Sequence, residues 1–188
     1  MTKSRRTRAS SFIITQNVEI VIYVHDGTIT HRDDQRNVGT IRAGDVQAMS
    51  AGTEIRHSER NDEDSPARLF QLWFKPKASG GAPKWGNNPF PKVDRAGRII
   101  LLASGRNAEG AVPIRADAEV SGALLFAATE TSYTFNRGDV GYLVAATGEL
   151  EVNGVSVLAH EGLVIKNESE IVIKAYQDSE ILLVVSAG

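Results

Sequence analysis

From Val18 to Asp33 the chain reads VEIVIYVHDGTITHRD: a β-branched run, an Asp26–Gly27 turn, and a second run of alternating side chains. That pattern predicts a hairpin. It recurs along most of the chain. NVGTIRAGDVQAMSAG is punctuated by Gly44 and Gly52, and ARLFQLWFKP sets Leu69, Gln71 and Trp73 against Phe70, Leu72 and Phe74 before ending at Pro76. Short strands at regular spacing, with glycine at the turns, restrict the chain to an all-β sandwich or barrel.

The pattern breaks once. Residues 75–98, KPKASGGAPKWGNNPFPKVDRAGR, carry Pro76, Pro83, Pro89 and Pro91, a density that neither a helix nor a central strand accommodates. The expectation is a first β unit over residues 1–75, an extended connection over 76–98 with Trp85 and Phe90 anchoring it on a neighbouring surface, and a second β unit over 99–188. The second unit repeats the grammar of the first. YLVAATGELEVNGVSVLAHEGLVI follows YVHDGTITHRDDQRNVGTIRAGDVQAM in its order of tyrosine, strand, glycine turn and strand, with Asn153–Gly154 a strong hairpin turn.

Composition narrows the partners. With 188 residues, 41% of them hydrophobic, the chain can bury a core. A net charge of −2 supplies no field that would draw in nucleic acid or a membrane surface. The absence of cysteine excludes thiolate metal sites and disulfides. No apolar run approaches the roughly 20 residues of a membrane span. The basic start, MTKSRRTRASSF, lacks the apolar stretch of an export signal; it reads as a solvated tail and points to a cytoplasmic protein.

The chemistry concentrates in AGTEIRHSERN. His57 and Glu59, two positions apart, project from one face of a strand, with Ser58 on the other. Imidazole and carboxylate together suit Fe(II), Mn, Ni, Cu or Zn, but two ligands are too few. Glu19, His25 and His31 are the further candidates. Glu19, Val21, Tyr23 and His25 share one face of their strand, opposite Val18, Ile20, Ile22 and Val24; both faces are partly apolar, and either could line a barrel. His25, beside a turn, and His160 in the second unit read as surface residues.

VEIVIYVHDGTITHRD, AGDVQAMSAGTEIRHSERN and LFQLWFKP resemble the pirin family, particularly its bacterial quercetinase-like bicupins, most closely from Val18 to Pro76; VNG, HEGLVI and SEILLV carry a looser resemblance in the second half. The resemblance implies two cupin barrels of jelly-roll type. It implies one divalent transition metal, Fe(II) in the first instance, in the N-terminal barrel. The family's ligands are a His-Pro-His segment and a later His-x-Glu. The latter matches His57 and Glu59; the former falls on Ile13, Ile14 and Thr15, whose side chains cannot replace it. The family also carries several dozen upstream residues, so this barrel reads as incomplete at its start. Glu19 stands where general cupins take a further ligand, so a His57, Glu59 and Glu19 set is one reading; a glutamate hydrogen-bonded within the barrel is the other. His31 matches a family histidine outside the metal shell. The implied activity is quercetin 2,3-dioxygenase chemistry on a flavonol, with Glu59 as general base, impaired by the lost histidines. The alternative is a metal-free bicupin that binds a small molecule or protein.

Overall fold

The structure is a computed structural model that describes residues 2–4, 12–106 and 109–188. Most of the basic N-terminal segment lies outside the described residues. Within it, Thr2–Ser4 is a strand paired with the segment Ala67–Leu69, so these three residues depart from the expected tail.

The chain divides into two compact units, Met1–Phe90 with Val112–Ala116, and Pro91–Ala111 with Asp117–Gly188. The first contains β1 (Thr2–Ser4), β2 (Ile13–Thr15), β3 (Glu19–Asp26), β4 (Thr28–Asp33), β5 (Val38–Arg42), β6 (Val46–Ser50), β7 (Ile55–Arg60), β8 (Ala67–Phe74) and β9 (Lys84–Asn88). Two sheets form, in the orders β1-β8-β3-β6-β9 and β2-β7-β4-β5, all pairs antiparallel. Ile20, Ile22 and Val24 of β3 pack with Ile29, Ile41, Met49, Ile55 and Leu69 between the sheets. The alternation of β3 therefore turns its isoleucine face into the barrel and Glu19, Val21 and Tyr23 away from it. A register shift between Val24 and Asp26 against β8 makes His25 the extra residue of a bulge.

The proline-rich stretch differs from an extended crossing. Lys84–Asn88 is β9, paired residue for residue with β6, and the division between units falls after Phe90. The prolines at 83 and 89 stand just outside this strand, which occupies a sheet edge where one side needs no partner.

The second unit holds β10 (Ile100–Ser104), β12 (Ala118–Leu125), β13 (Thr129–Thr134), β14 (Asp139–Thr147), β15 (Glu149–Val152), β16 (Val155–Leu158), β17 (Gly162–Ile165), β18 (Glu170–Ala175) and β19 (Ser179–Ala187); the short β11 (Val112–Pro113) belongs to the first unit. Its sheets run β10-β12-β19-β14-β17 and β13-β18-β15-β16. Strand for strand, β19-β14-β17 repeats β8-β3-β6, and β13-β18-β15-β16 repeats β2-β7-β4-β5. The duplicated grammar is a duplicated topology, and both units are cupin-type β-barrels. No helix among the described residues is long and apolar enough to cross a membrane.

Trp85 and Gly39 fix how closely the first barrel's sheets approach. A β-carbon added to Gly39 would collide with the Trp85 indole. Overpacking of this kind costs about 1–3 kcal/mol. Gly39→Ala is thus expected to lower the unfolding free energy, measured by denaturant titration, by that amount and to shift the tryptophan emission; unchanged emission and stability would show that Trp85 does not lie against β5.

Candidate functional site

The inward face of the first barrel is set by its core residues. Ile55 points into the core, so His57 and Glu59, two and four residues on, share its face. Ile29 does the same for His31 and Asp33. Register agrees, because His31 stands opposite Glu59 and Asp33 opposite His57. On the other sheet, Met49 and Leu69 point inward, and Gln47 and Gln71 follow them by alternation.

Glu59 is held from that opposite sheet. Gln47 Nε2 donates to its Oε1, and Gln71 Nε2 to its Oε2 at 3.5 Å. Gln47 is itself oriented by the Trp85 indole N–H, 3.0 Å from its Oε1. The expectation that Trp85 anchors a connection is revised: its ring belongs to the site. It stacks on His31 with centroids 4.8 Å apart, and His31 lies nearly parallel to His57 at 6.0 Å.

His31 is fully buried and its Nε2 lies 3.1 Å from Asp33 Oδ2. Asp33 also accepts from the Gln35 and Asn37 backbone N–H groups and from Asn37 Nδ2. Burial raises the Asp33 carboxyl, but the bonds from Asn37 and His31 outweigh it and hold it below its ordinary 3.8. An ionised Asp33 is an acceptor only, so the His31 Nε2–H donates to it, and Nδ1 faces Glu59 Oε1, 4.0 Å away. His57 is 3% exposed. Burial pushes its imidazole below the usual 6.5, against the pull of Glu59, so the ring is neutral at pH 7. The Nδ1 atoms of His31 and His57 are both buried without a hydrogen-bond partner.

Glu19 does not join this group. It faces away from the barrel interior, where its carboxylate accepts from Ser50 Oγ at 2.7 Å and from the Arg115 backbone N–H at 2.8 Å. The set of His57, Glu59 and Glu19 is therefore corrected: strand alternation separates Glu19 from the other two, and its hydrogen bonds tie the segment Val112–Ala116 to β3. Ile13 stands opposite His57 and Thr15 opposite Ile55, on the inward face. These are the positions where the resemblance would place histidines. Among the described residues no group of three or more His, Asp or Glu is placed to hold a metal ion. His57, with His31 tied through Nε2 to Asp33 and a carboxylate already bonded to two amides, does not fit a metal's donor set. His160 is exposed on a left-handed backbone, and His25 is half-buried at its bulge.

Three residues of the site, Gln47, Gln71 and Trp85, were not picked out from the sequence. The signal available was alternation: each stands two positions from an inward apolar neighbour or partner, but choosing the inward face required the fold.

Asp33→Asn leaves His31 without an ionised acceptor. The expected cost near neutral pH is about 1–3 kcal/mol. A carboxyl depressed in the folded state stabilises above its unfolded pKa and loses that contribution as pH falls. The gap between the native chain and Asp33→Asn should then close as pH drops below about 3.8. Denaturant titrations at a series of pH values check this; a constant gap would show that Asp33 is not the ionised anchor.

The Pirin family profile matches residues 14–74, and the profile described as the quercetinase C-terminal cupin domain matches residues 101–184. A pirin-like protein of Caulobacter vibrioides is 51% identical over 172 residues, 91% of this chain and 74% of that protein. The quercetin 2,3-dioxygenase of Escherichia coli is 31% identical, over 89% of this chain and 72% of its own length. The structure of the bacterial pirin YhhW from Escherichia coli in complex with nickel(II) superposes with a TM-score of 0.90 at 28% identity, covering 98% of this chain and 79% of that one. A duplicated cupin topology, an inward His57 and Glu59, and a relative of this identity across nine-tenths of the chain lead to one conclusion: the chain belongs to the pirin family.

Proposed function

We propose that the first barrel binds a small hydroxylated aromatic of the flavonol type, and that metal-dependent ring opening is impaired in this chain. The observation that carries the reading is the pairing of a neutral, buried His57, whose Nδ1 has no partner, with the fixed carboxylate of Glu59. Glu59 accepts a hydrogen bond from an acidic hydroxyl. His57 supplies the complementary donor or acceptor to the neighbouring oxygen. Buried sites that offer unmatched polar groups favour ligands that satisfy them. The flavonol class is supported by the names of relatives such as the quercetin 2,3-dioxygenase of Escherichia coli.

The same residues argue against full turnover. Ile13 and Thr15 stand on the inward face beside His57 and Ile55, and neither contributes a strong metal donor. Glu59 as a general base acts on the bound hydroxyl's proton. Gln47 and Gln71 hold the carboxylate for that transfer.

Quercetin is expected to produce a saturable absorbance change with the purified chain, weakened about tenfold or more in His57→Ala and in Glu59→Gln. Oxygen uptake on quercetin should stay at background when Fe(II) or Ni(II) is added. Saturable binding indifferent to both substitutions would overturn the binding site, and metal-stimulated oxygen uptake would overturn the impairment.

A further inference from the structure

The second barrel repeats the topology of the first but not its chemistry. Leu150 and Val152 of β15, and Ile171, Ile173 and Ala175 of β18, fill the positions equivalent to the His31 and His57 strands. Its polar inward groups occur elsewhere. Ala123 and Leu125 of β12 point into the core, so Ser121 and Glu119 share their face. They open into a cavity of about 360 Å³ between β10 and β13, walled by Ile99 and Leu101 on one side and by Tyr133, with Ser132 and Thr134, on the other. That volume lies at the small end of the range for organic-ligand sites, roughly 300–1,000 Å³.

The polar groups in this cavity make few bonds within the protein. Glu119 Oε1 receives only a long bond from Ser104 Oγ, at 3.4 Å. Neither the Ser121 hydroxyl nor the Tyr133 phenol takes a hydrogen-bond partner among the described residues. Arg106, whose charge reaches the Tyr133 phenol, makes a two-pronged pair with Asp139, at 2.8 Å on each prong, and a bond of 2.7 Å to Asp117. No lysine or arginine is among the described residues lining the cavity. Burial, with the nearby Glu119 and Asp139 charges, outweighs the opposing Arg106 charge and pushes the Tyr133 phenol up, so it remains a neutral donor.

We propose that this seam binds the protonated amine of a small molecule with an apolar or aromatic body. The ammonium pairs with Glu119, donates an N–H to the Ser121 Oγ, and lies against the Tyr133 ring, while the body covers Ile99 and Leu101. A carboxylate, hydroxyl oxygens and an aromatic face are the groups that recognise an ammonium. An anionic head would meet Glu119 with no lysine or arginine in the cavity wall, the Arg106 charge being offset by Asp117 and Asp139. The site lies wholly in the second unit, so it stands or falls independently of the flavonol reading.

The test is a titration of the ¹⁵N-labelled full chain with phenethylamine, 2-phenylethanol and phenylacetate, followed by amide shifts. Phenethylamine should bind saturably, with shifts centred on Leu101, Glu119 and Tyr133. The neutral alcohol should bind about tenfold more weakly or worse, and the acid should not bind. Glu119→Gln, with its melting temperature measured alongside, should remove the preference for the amine over the alcohol. The ligand series on the native chain decides the matter if that variant does not fold. Absence of saturable amine binding, equal binding of all three compounds, shifts centred outside this seam, or an amine preference surviving Glu119→Gln would each overturn the proposal.

Discussion

The Glu59 carboxylate is gripped across the first barrel, and the arrangement around it follows from that grip. Gln47 and Gln71 reach it from one sheet, while His31 and His57 stand beside it on the other. For those amides to arrive, β6 and β8 must turn Met49 and Leu69 inward, and β7 must turn Ile55 inward. A one-residue slip in any of these strands would send the polar set to the outside and the isoleucines with it. The apolar core thereby specifies the register, and the register specifies the site. Burying a carboxylate and two imidazoles is costly unless they are hydrogen-bonded. The Trp85–Gln47–Glu59 and Asn37–Asp33–His31 chains supply those bonds, leaving the two Nδ1 atoms as the unfilled positions.

Duplication makes the contrast between the barrels informative. The same strand order carries an inward polar cluster in one unit and a nearly continuous aliphatic core in the other. In the second unit β15 and β18 contribute leucine, valine, isoleucine and alanine where β4 and β7 contribute histidine, aspartate and glutamate. Topology is thus compatible with either content, and the choice rests on a few inward positions of two strands. Polar character in the second barrel moves instead to β12, at the open seam against β13. Fold likeness and site chemistry separate here at the level of single residues.

Much of the architecture was legible from period-two alternation and glycine turns. The hairpin at Asp26–Gly27, the turn at Asn153–Gly154 and the repeat of Tyr23–Met49 in Tyr142–Ile165 correspond to observed strands in the same order. The pair His57 and Glu59 was legible because two residues separated by one must share a face. Glu19 stayed open between a ligand and a hydrogen-bonded glutamate because both faces of β3 are apolar enough to be buried: Ile20 and Ile22 on one side, Val21 and Tyr23 on the other, are all 1% exposed or less. Composition cannot tell which is the barrel side when both are covered. Lys84–Asn88 escaped recognition because its flanking prolines dominate the local signal, although an edge strand tolerates them. Gln47 and Gln71 escaped because an amide carries no chemical signature until its partner across the barrel is known.

The proposed impairment of metal-dependent turnover rests on the inward face of β2, where Ile13 opposes His57 and Thr15 opposes Ile55. Calorimetric titration with nickel(II) tests this most directly, run on the native chain and on the double variant Ile13→His with Thr15→His. The native chain should show no tight one-to-one binding, and the double variant should bind one equivalent in a manner abolished by a further His57→Ala. Tight stoichiometric nickel binding by the native chain, lost in His57→Ala, would contradict the account.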